Sequence, residues 1–261
     1  MIVSCKNGVE YYQFENLANE ACLNHGVFTR RNGQSRAPFA SLNVGFGLGD
    51  PERNVYANRR LIDECMESRQ SIYLRQVHGN RVVVMDDNGG LSSIRLSKTP
   101  PVGDAMITDV CECYLVIQVA DCQPVLFYDP AVRVVAAAHC GWRGSLQDVI
   151  GATVRRMTFE FGCSPKDIQV GVGPSLGPCC AEFVNYRTEF PPSMWKYKAG
   201  NNRFDLWALS GDQLQNAGIP AGNIHFSNLC TRCRSDLFFS YREERPTGRF
   251  AAVIGLRDSK Q

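Results

Sequence analysis

Residues 115–144 read LVIQVADCQPVLFYDPAVRVVAAAHCGWRG. Two apolar runs, 115–120 and 132–138, have the length and β-branched content of buried strands. Each ends in chemistry that a core does not need. The first delivers Asp121 and Cys122, and the second delivers His139 followed by Gly-Trp-Arg-Gly. A thiol and an imidazole at the ends of two buried strands predict a built site, with Arg143 beside it.

Upstream, residues 71–77 (SIYLRQV) predict a strand running into His78-Gly79, and 81–85 (RVVVM) a second. The segment 86–90 (DDNGG) reads as a turn and 91–101 as surface loop. Residues 50–52 (Asp-Pro-Glu) predict a helix start, with Asp50 as N-cap, and Val55, Leu61, Ile62 and Cys65 give that helix a buried face. A second helix runs from near Ser145 to Phe161 on Leu146, Val149, Ile150, Val154 and Met157, and stops at Gly162. Asp205 is expected to cap a third, ending near Gly218. Short strands are expected at 1–4, 27–28, 168–172 and 224–228, with a closing strand at 249–256 (RFAAVIGL). Residues 29–50 read as a long ordered loop, and 185–204 as irregular. Strands paired with strands, with helices between some of them, fit a single α+β or layered α/β domain over residues 1–261.

The composition removes several classes of function. Twenty-eight basic and 26 acidic side chains leave a net charge of +2, which argues against nucleic acid or an anionic membrane as partner. No apolar run approaches the roughly 20 residues that span a bilayer. The opening MIVSCKNGVEYYQF lacks the pattern of a signal peptide, so the expectation is a cytoplasmic protein with its 12 cysteines reduced.

Two imidazoles and a thiol, His78, Cys122 and His139, make a tridentate metal site with an open fourth position, as in catalytic zinc centres. Their separations, 44 and 17 residues, match no short metal motif. Buried core residues, or a Cys–His nucleophile pair without metal, explain the same spacing. Asp121 is expected either to orient one histidine or to cap a turn. Arg143 is expected at an anion seat by a helix start, or as a structural residue. Four histidines in all, His25, His78, His139 and His225, cannot furnish a blue-copper centre plus a trinuclear cluster, which excludes a multicopper laccase mechanism on one chain. A single copper at the same three ligands stays open. Cys230-x-x-Cys233 and Cys179-Cys180 could form a second zinc site; adjacent cysteines rarely both ligate one ion, so these four, like Cys111 and Cys113, are expected to be plain thiols.

The segments HGVFTRRNGQS, PFASLNVG, RQVHG, GDAMITD, ADCQPVLFYDP, AAHCGWRG, VGVGPSLGPCC, FDLWAL, CTRC, FFSYR and TGRFAAVIGL resemble, in order, those of the YfiH-like, or laccase-domain (polyphenol-oxidase-type), family. Many of its members are described as purine nucleoside phosphorylases. The resemblance implies a layered α/β/β/α fold with mixed sheets. It implies zinc at His78, Cys122 and His139, and phosphorolysis of adenosine, inosine, guanosine and methylthioadenosine, with adenosine deamination as well. Catalytic roles then fall to Cys122, His78, His139, Asp121 and Arg143, and substrate contacts to Asn43, Gln76 and Arg143. The partners would be a purine nucleoside and phosphate; no oligomeric state is implied. Phenol oxidation with copper and amide cleavage in cell-wall precursors are the alternatives, the latter with Cys122 as nucleophile or a metal-activated water. A scaffold with a structural zinc closed by His25 or His225 is a further one. Three departures stand out. Gly47 replaces a frequent family histidine. Ala181 falls where an aromatic is expected within CYEVG. Glu243 reverses the second charge of YRR.

Overall fold

A computed structural model describes residues 1–86 and 99–258. Residues 87–90 of the turn expected at 86–90, and 91–98 of the loop expected at 91–101, lie outside the described residues.

Along the chain the strands are β1 (Ile2–Lys6), β2 (Val9–Gln13), β3 (Leu23–Phe28), β4 (Gln70–Tyr73), β5 (Val82–Met85), β6 (Ala105–Thr108), β7 (Cys113–Val119), β8 (Gln123–Asp129), β9 (Val134–Cys140), β10 (Gln169–Val172), β11 (Ile224–Phe226) and β12 (Phe250–Leu256). The helices used below are α1 (Glu52–Met66), α2 (Trp142–Leu146), α3 (Val149–Phe161) and α4 (Leu206–Asn216). Two six-stranded mixed sheets form, ordered β1-β2-β3-β12-β7-β4 and β11-β10-β8-β9-β6-β5. In the first, β4 runs parallel to β7; in the second, β5–β6 and β10–β11 are the parallel pairs.

The layering follows from side-chain alternation. On β7, Leu115, Ile117 and Val119 face the second sheet, while Tyr114 and Val116 face outward toward α1. On β9, Val135 and Ala137 face the first sheet, while Val134, Ala136 and Ala138 meet Val149, Ile150, Val154 and Met157 of α3. Both faces of these strands are covered, which is why the sequence shows continuous apolar runs instead of alternation. The layers are helix, sheet, sheet, helix, the α/β/β/α arrangement expected. No helix among the described residues is long and apolar enough to cross a membrane.

Several boundaries differ from the sequence-based expectation. The run 121–131 hides an entire strand, β8, whose Pro124 pairs across from His139; a proline in a central strand argues against strand when only sequence is seen. His139 accordingly lies inside β9, not beyond its end. The helix expected from Ser145 to Phe161 is two helices, and Arg143 sits within the first instead of before it. They break at Asp148, which takes a left-handed φ of 55° while its carboxylate caps Gly151 N. Asp50 does not cap the backbone of α1. It accepts from Asn54 Nδ2, Ser35 Oγ and Asn43 Nδ2, and the N-cap is Pro51. Asp205 does cap α4, through Ala208 N. Cys113 is buried in β7, whereas Cys111 lies before it in an isolated bridge to Leu256. The stretch 185–204, expected to be irregular, carries two short helical turns bound by an aromatic cluster of Phe183, Tyr186, Phe190 and Phe204.

Candidate metal centre

Three separate connections bring the site together. Cys122 lies in the tight turn between β7 and β8. His139 lies one residue from the end of β9, in the adjacent strand of the register, and His78 comes from the loop after β4. Their ligand atoms all lie within 4.8 Å of one another. The two imidazoles meet edge to face, with ring centroids 4.8 Å apart. Gly141 is what lets them approach. A Cβ there would stand 2.8 Å from His78 Cδ2 and 3.2 Å from Cys122 Sγ.

The carboxylate that organises the site is Asp104, which sequence reasoning passed over. It is fully buried just before β6. Its Oδ1 lies 2.9 Å from His139 Nδ1 and accepts from Val77 N at 3.1 Å and His78 N at 2.8 Å. Its Oδ2 accepts from Gly79 N at 2.7 Å. One side chain thus fixes the ring of His139 and the backbone of the loop that bears His78. With Nδ1–H donated to Asp104, the Nε2 lone pair of His139 is left for a ligand. His78 holds a φ of 60° and Asp121 one of 84°, strained values for non-glycine residues, of the kind that cluster at functional sites.

Electrostatics agree with the geometry. Burial alone would push the Cys122 thiol up, but the charge on His139 and hydrogen bonds from both imidazoles outweigh it and lower the thiol pKa. Burial alone would lower His139; the Cys122 sulfur and Asp104 reverse this and raise it. Burial would raise Asp104, yet His139 and the loop amides hold it below the usual carboxylate range. The sulfur is primed as a thiolate, which is the form that ligates metals.

The open side of this cluster faces a cavity of about 700 Å³. Arg143, Arg242, Arg245 and Arg249 line it, along with Phe46, Trp142, Phe183 and Tyr241. Of the residues expected from sequence, His78, Cys122, His139, Asp121, Arg143 and Gln76 converge here. Gln76 is pinned by paired hydrogen bonds to the backbone of Gln118. Asn43 does not reach the cavity. It is fully buried, and its Oδ1 accepts from Gly45 N and Arg249 N, so it acts on the site by anchoring two residues of the cavity wall. Asp121 does not orient a histidine. Its carboxylate accepts from Thr231 Oγ1 and Arg242 N, both at 2.7 Å, and so ties the turn of Cys122 to the opposite wall. Among the described residues neither His25 nor His225 joins the three ligands. His25 is buried, with Nε2 accepting from Phe14 N.

The three departures from the family pattern lie as follows. Glu243 pairs with Arg232 at 2.8 Å, while Arg242, Arg245 and Arg249 line the cavity. Ala181 is buried, and Phe183 supplies the aromatic wall. Gly47 takes a φ of 73° with open space around it.

Residues 24–257 match the model of a family described as multi-copper polyphenol oxidoreductase laccase. The chain belongs to that family. The purine nucleoside phosphorylase YlmD of Geobacillus stearothermophilus is 35% identical over 247 residues, covering 89% of this chain and 90% of the relative. A purine nucleoside phosphorylase of Pseudomonas aeruginosa is 37% identical over 246 residues, covering 89% and 93%. The crystal structure of YlmD from Geobacillus stearothermophilus superposes with a TM-score of 0.84 at 31% identity, covering 98% of this chain and 99% of that one. The family is thus one whose curated relatives carry a phosphorylase name under a laccase description. With two histidines at the centre and four in the whole chain, the imidazole count fits one metal ion and not a multicopper cluster.

Proposed function

We propose that the chain, acting as one domain over residues 1–261 in the cytoplasm, is a zinc-dependent purine nucleoside phosphorylase. Adenosine, inosine, guanosine and methylthioadenosine are its substrates. The observation that carries this reading is a His/Cys/His cluster set in a cavity with arginines for an anion and aromatic faces for a base. His78, Cys122 and His139 would hold the zinc, with soft and imidazole donors that suit it. Bound there, zinc would supply Lewis-acid polarisation of a substrate oxygen.

The chain's own residues do the rest. Arg143 and its neighbours Arg242, Arg245 and Arg249 seat phosphate, and the guanidinium geometry suits bidentate contact. Arg143 is itself steadied over the Trp142 ring, with its central carbon 4.1 Å from the centroid. Phe46, Trp142, Phe183 and Tyr241 offer faces for the purine and keep water from the sugar. A phosphate oxygen bonds to the sugar C1′ as the C1′–N9 bond breaks. The base leaves with that electron pair and takes up a proton. Adenosine deamination at the same site replaces the 6-amino group with the oxygen of a water and releases ammonia.

Purified protein given inosine and phosphate should yield hypoxanthine and ribose 1-phosphate in equal amounts, and neither when phosphate is withheld. Zinc-loaded protein that forms no product refutes the proposal. The Cys122–His139 pair supports one second reading, cleavage of an amide in a cell-wall precursor with Cys122 as nucleophile. Release of the amino acid from a nucleotide-linked muramyl substrate, with nucleosides untouched, would favour it.

A further inference from the structure

Four cysteines outside the centre converge although the sequence separates them into two pairs. Cys179 and Cys180 lie in the turn after β10; Cys230 and Cys233 lie in the turn after β11. The two segments are stitched by a parallel bridge, with Ser175 N donating to Leu229 O and Thr231 N to Ser175 O. Gly177 permits the approach, since a Cβ there would lie 3.1 Å from Cys230 Cβ. All four sulfurs fall within 4.8 Å of one another. Cys233 Sγ is 3.6 Å from both Cys179 Sγ and Cys180 Sγ.

These separations select among the chemistries open to thiols. Four sulfurs around one zinc at bonds of about 2.3 Å form a tetrahedron with edges of about 3.8 Å. A disulfide requires about 2.05 Å and pairs each sulfur with one partner. Here Cys233 has two equidistant partners. Gly177 N also donates to Cys230 Sγ at 3.3 Å, so an amide already points at a sulfur as it would at a thiolate. The adjacency of Cys179 and Cys180, which from sequence argues against joint ligation, is overcome by the turn that sets both beside Cys233.

We propose that Cys179, Cys180, Cys230 and Cys233 form a second metal site, a closed four-thiolate centre for zinc, separate from the His78/Cys122/His139 cluster. Each thiol releases its proton to solvent as the ion binds. With four protein ligands the site has no open position, so its role is structural. It joins the wall that carries Ser175 and Leu176 to the turn that carries Thr231, whose hydroxyl holds Asp121 beside Cys122.

Elemental analysis of protein produced with zinc tests this. The unaltered chain should carry two zinc ions. The His78→Ala/His139→Ala variant should retain one, and X-ray absorption should find that ion in an all-sulfur shell at about 2.3 Å. The Cys179→Ser/Cys233→Ser variant should lose that ion and keep one with mixed nitrogen and sulfur neighbours. A histidine variant without zinc, or with nitrogen in the shell of its remaining ion, overturns the proposal. So does a Cys179–Cys233 or Cys180–Cys233 disulfide in anaerobically purified protein. If the cysteine variant fails to fold, the unaltered chain and the histidine variant decide alone. Loss of phosphorolysis with the all-sulfur ion intact would refute the proposed activity and leave this site standing.

Discussion

Replacing Asp104 with Asn is the sharpest perturbation of the centre, because the shape is kept and one acceptor is lost. The carboxylate receives three loop amides and His139 Nδ1, at 2.7 to 3.1 Å. An amide at the Oδ2 position leaves Gly79 N facing a donor; at the Oδ1 position it opposes His139, Val77 and His78 together. The milder outcome leaves one buried donor unsatisfied, at about 1–3 kcal/mol, and turns the others into weaker neutral bonds. Stability should fall by about 2 kcal/mol in urea unfolding. Loss of the anion that orients a ligating histidine should weaken zinc by about 10–100-fold in competition against a chromogenic chelator. Amide exchange should quicken at Val77, His78 and Gly79. If the Asp104→Asn variant matches the unaltered chain in zinc affinity and in the protection of those three amides, Asp104 is not the clamp and the reasoning fails.

The remaining predictions concern other parts of the structure. Gly141 has an ordinary extended backbone (φ −74°, ψ 161°), so Gly141→Ala strains only the ligands its Cβ would strike. Turnover should drop by about 100-fold with little change in melting temperature; unchanged turnover would refute the close approach. Burial lowers His25 to about 3 from an ordinary 6.5. The unfolded chain therefore binds this proton first, and its contribution to stability, whole above pH 6.5, is lost as pH falls from 6.5 toward 3. The slope should reach about 1.4 kcal/mol per pH unit. His25→Gln should flatten it, and equal slopes would show that the imidazole is not the cause. Gly171→Ala would put a Cβ 2.3 Å from the Phe14 ring, between the second sheet and the one-turn helix Glu15–Ala18 that Phe14 precedes. It should cost about 1–3 kcal/mol in unfolding while phosphorolysis per folded molecule stays the same.

His78, Cys122 and His139 stood out in the sequence because strand length, apolar content and a terminal polar residue are all local. Their separations left core residues or a Cys–His pair open, and it was the family resemblance that grouped the three as a metal site. The four layers came from the family resemblance, and the covered faces of β7 and β9 explain the run pattern behind it. What escaped was non-local. Gly103-Asp104 reads as any turn, and nothing nearby reports that three amides some 25 residues upstream converge on the carboxylate. Asp121 beside Cys122 invited a role toward histidine, but its left-handed backbone turns its oxygens to Thr231 and Arg242. β8 was hidden by Pro124, and β2 by an aromatic run that gave no alternation. Cys179-Cys180 and Cys230/Cys233 were expected to be plain thiols because adjacent cysteines rarely share an ion, and their meeting depends on the parallel pairing of β10 with β11, which the sequence does not report.

The buried Asp104 clamp has a consequence for how binding energy is distributed. Fixing a flexible loop residue costs about 1–2 kcal/mol, and an ion that had to order the 77–79 segment itself would bind more weakly by that sum. Here the fold orders the segment through a carboxylate belonging to the protein. The affinity of His78, Cys122 and His139 is then left almost undiminished for whatever they bind.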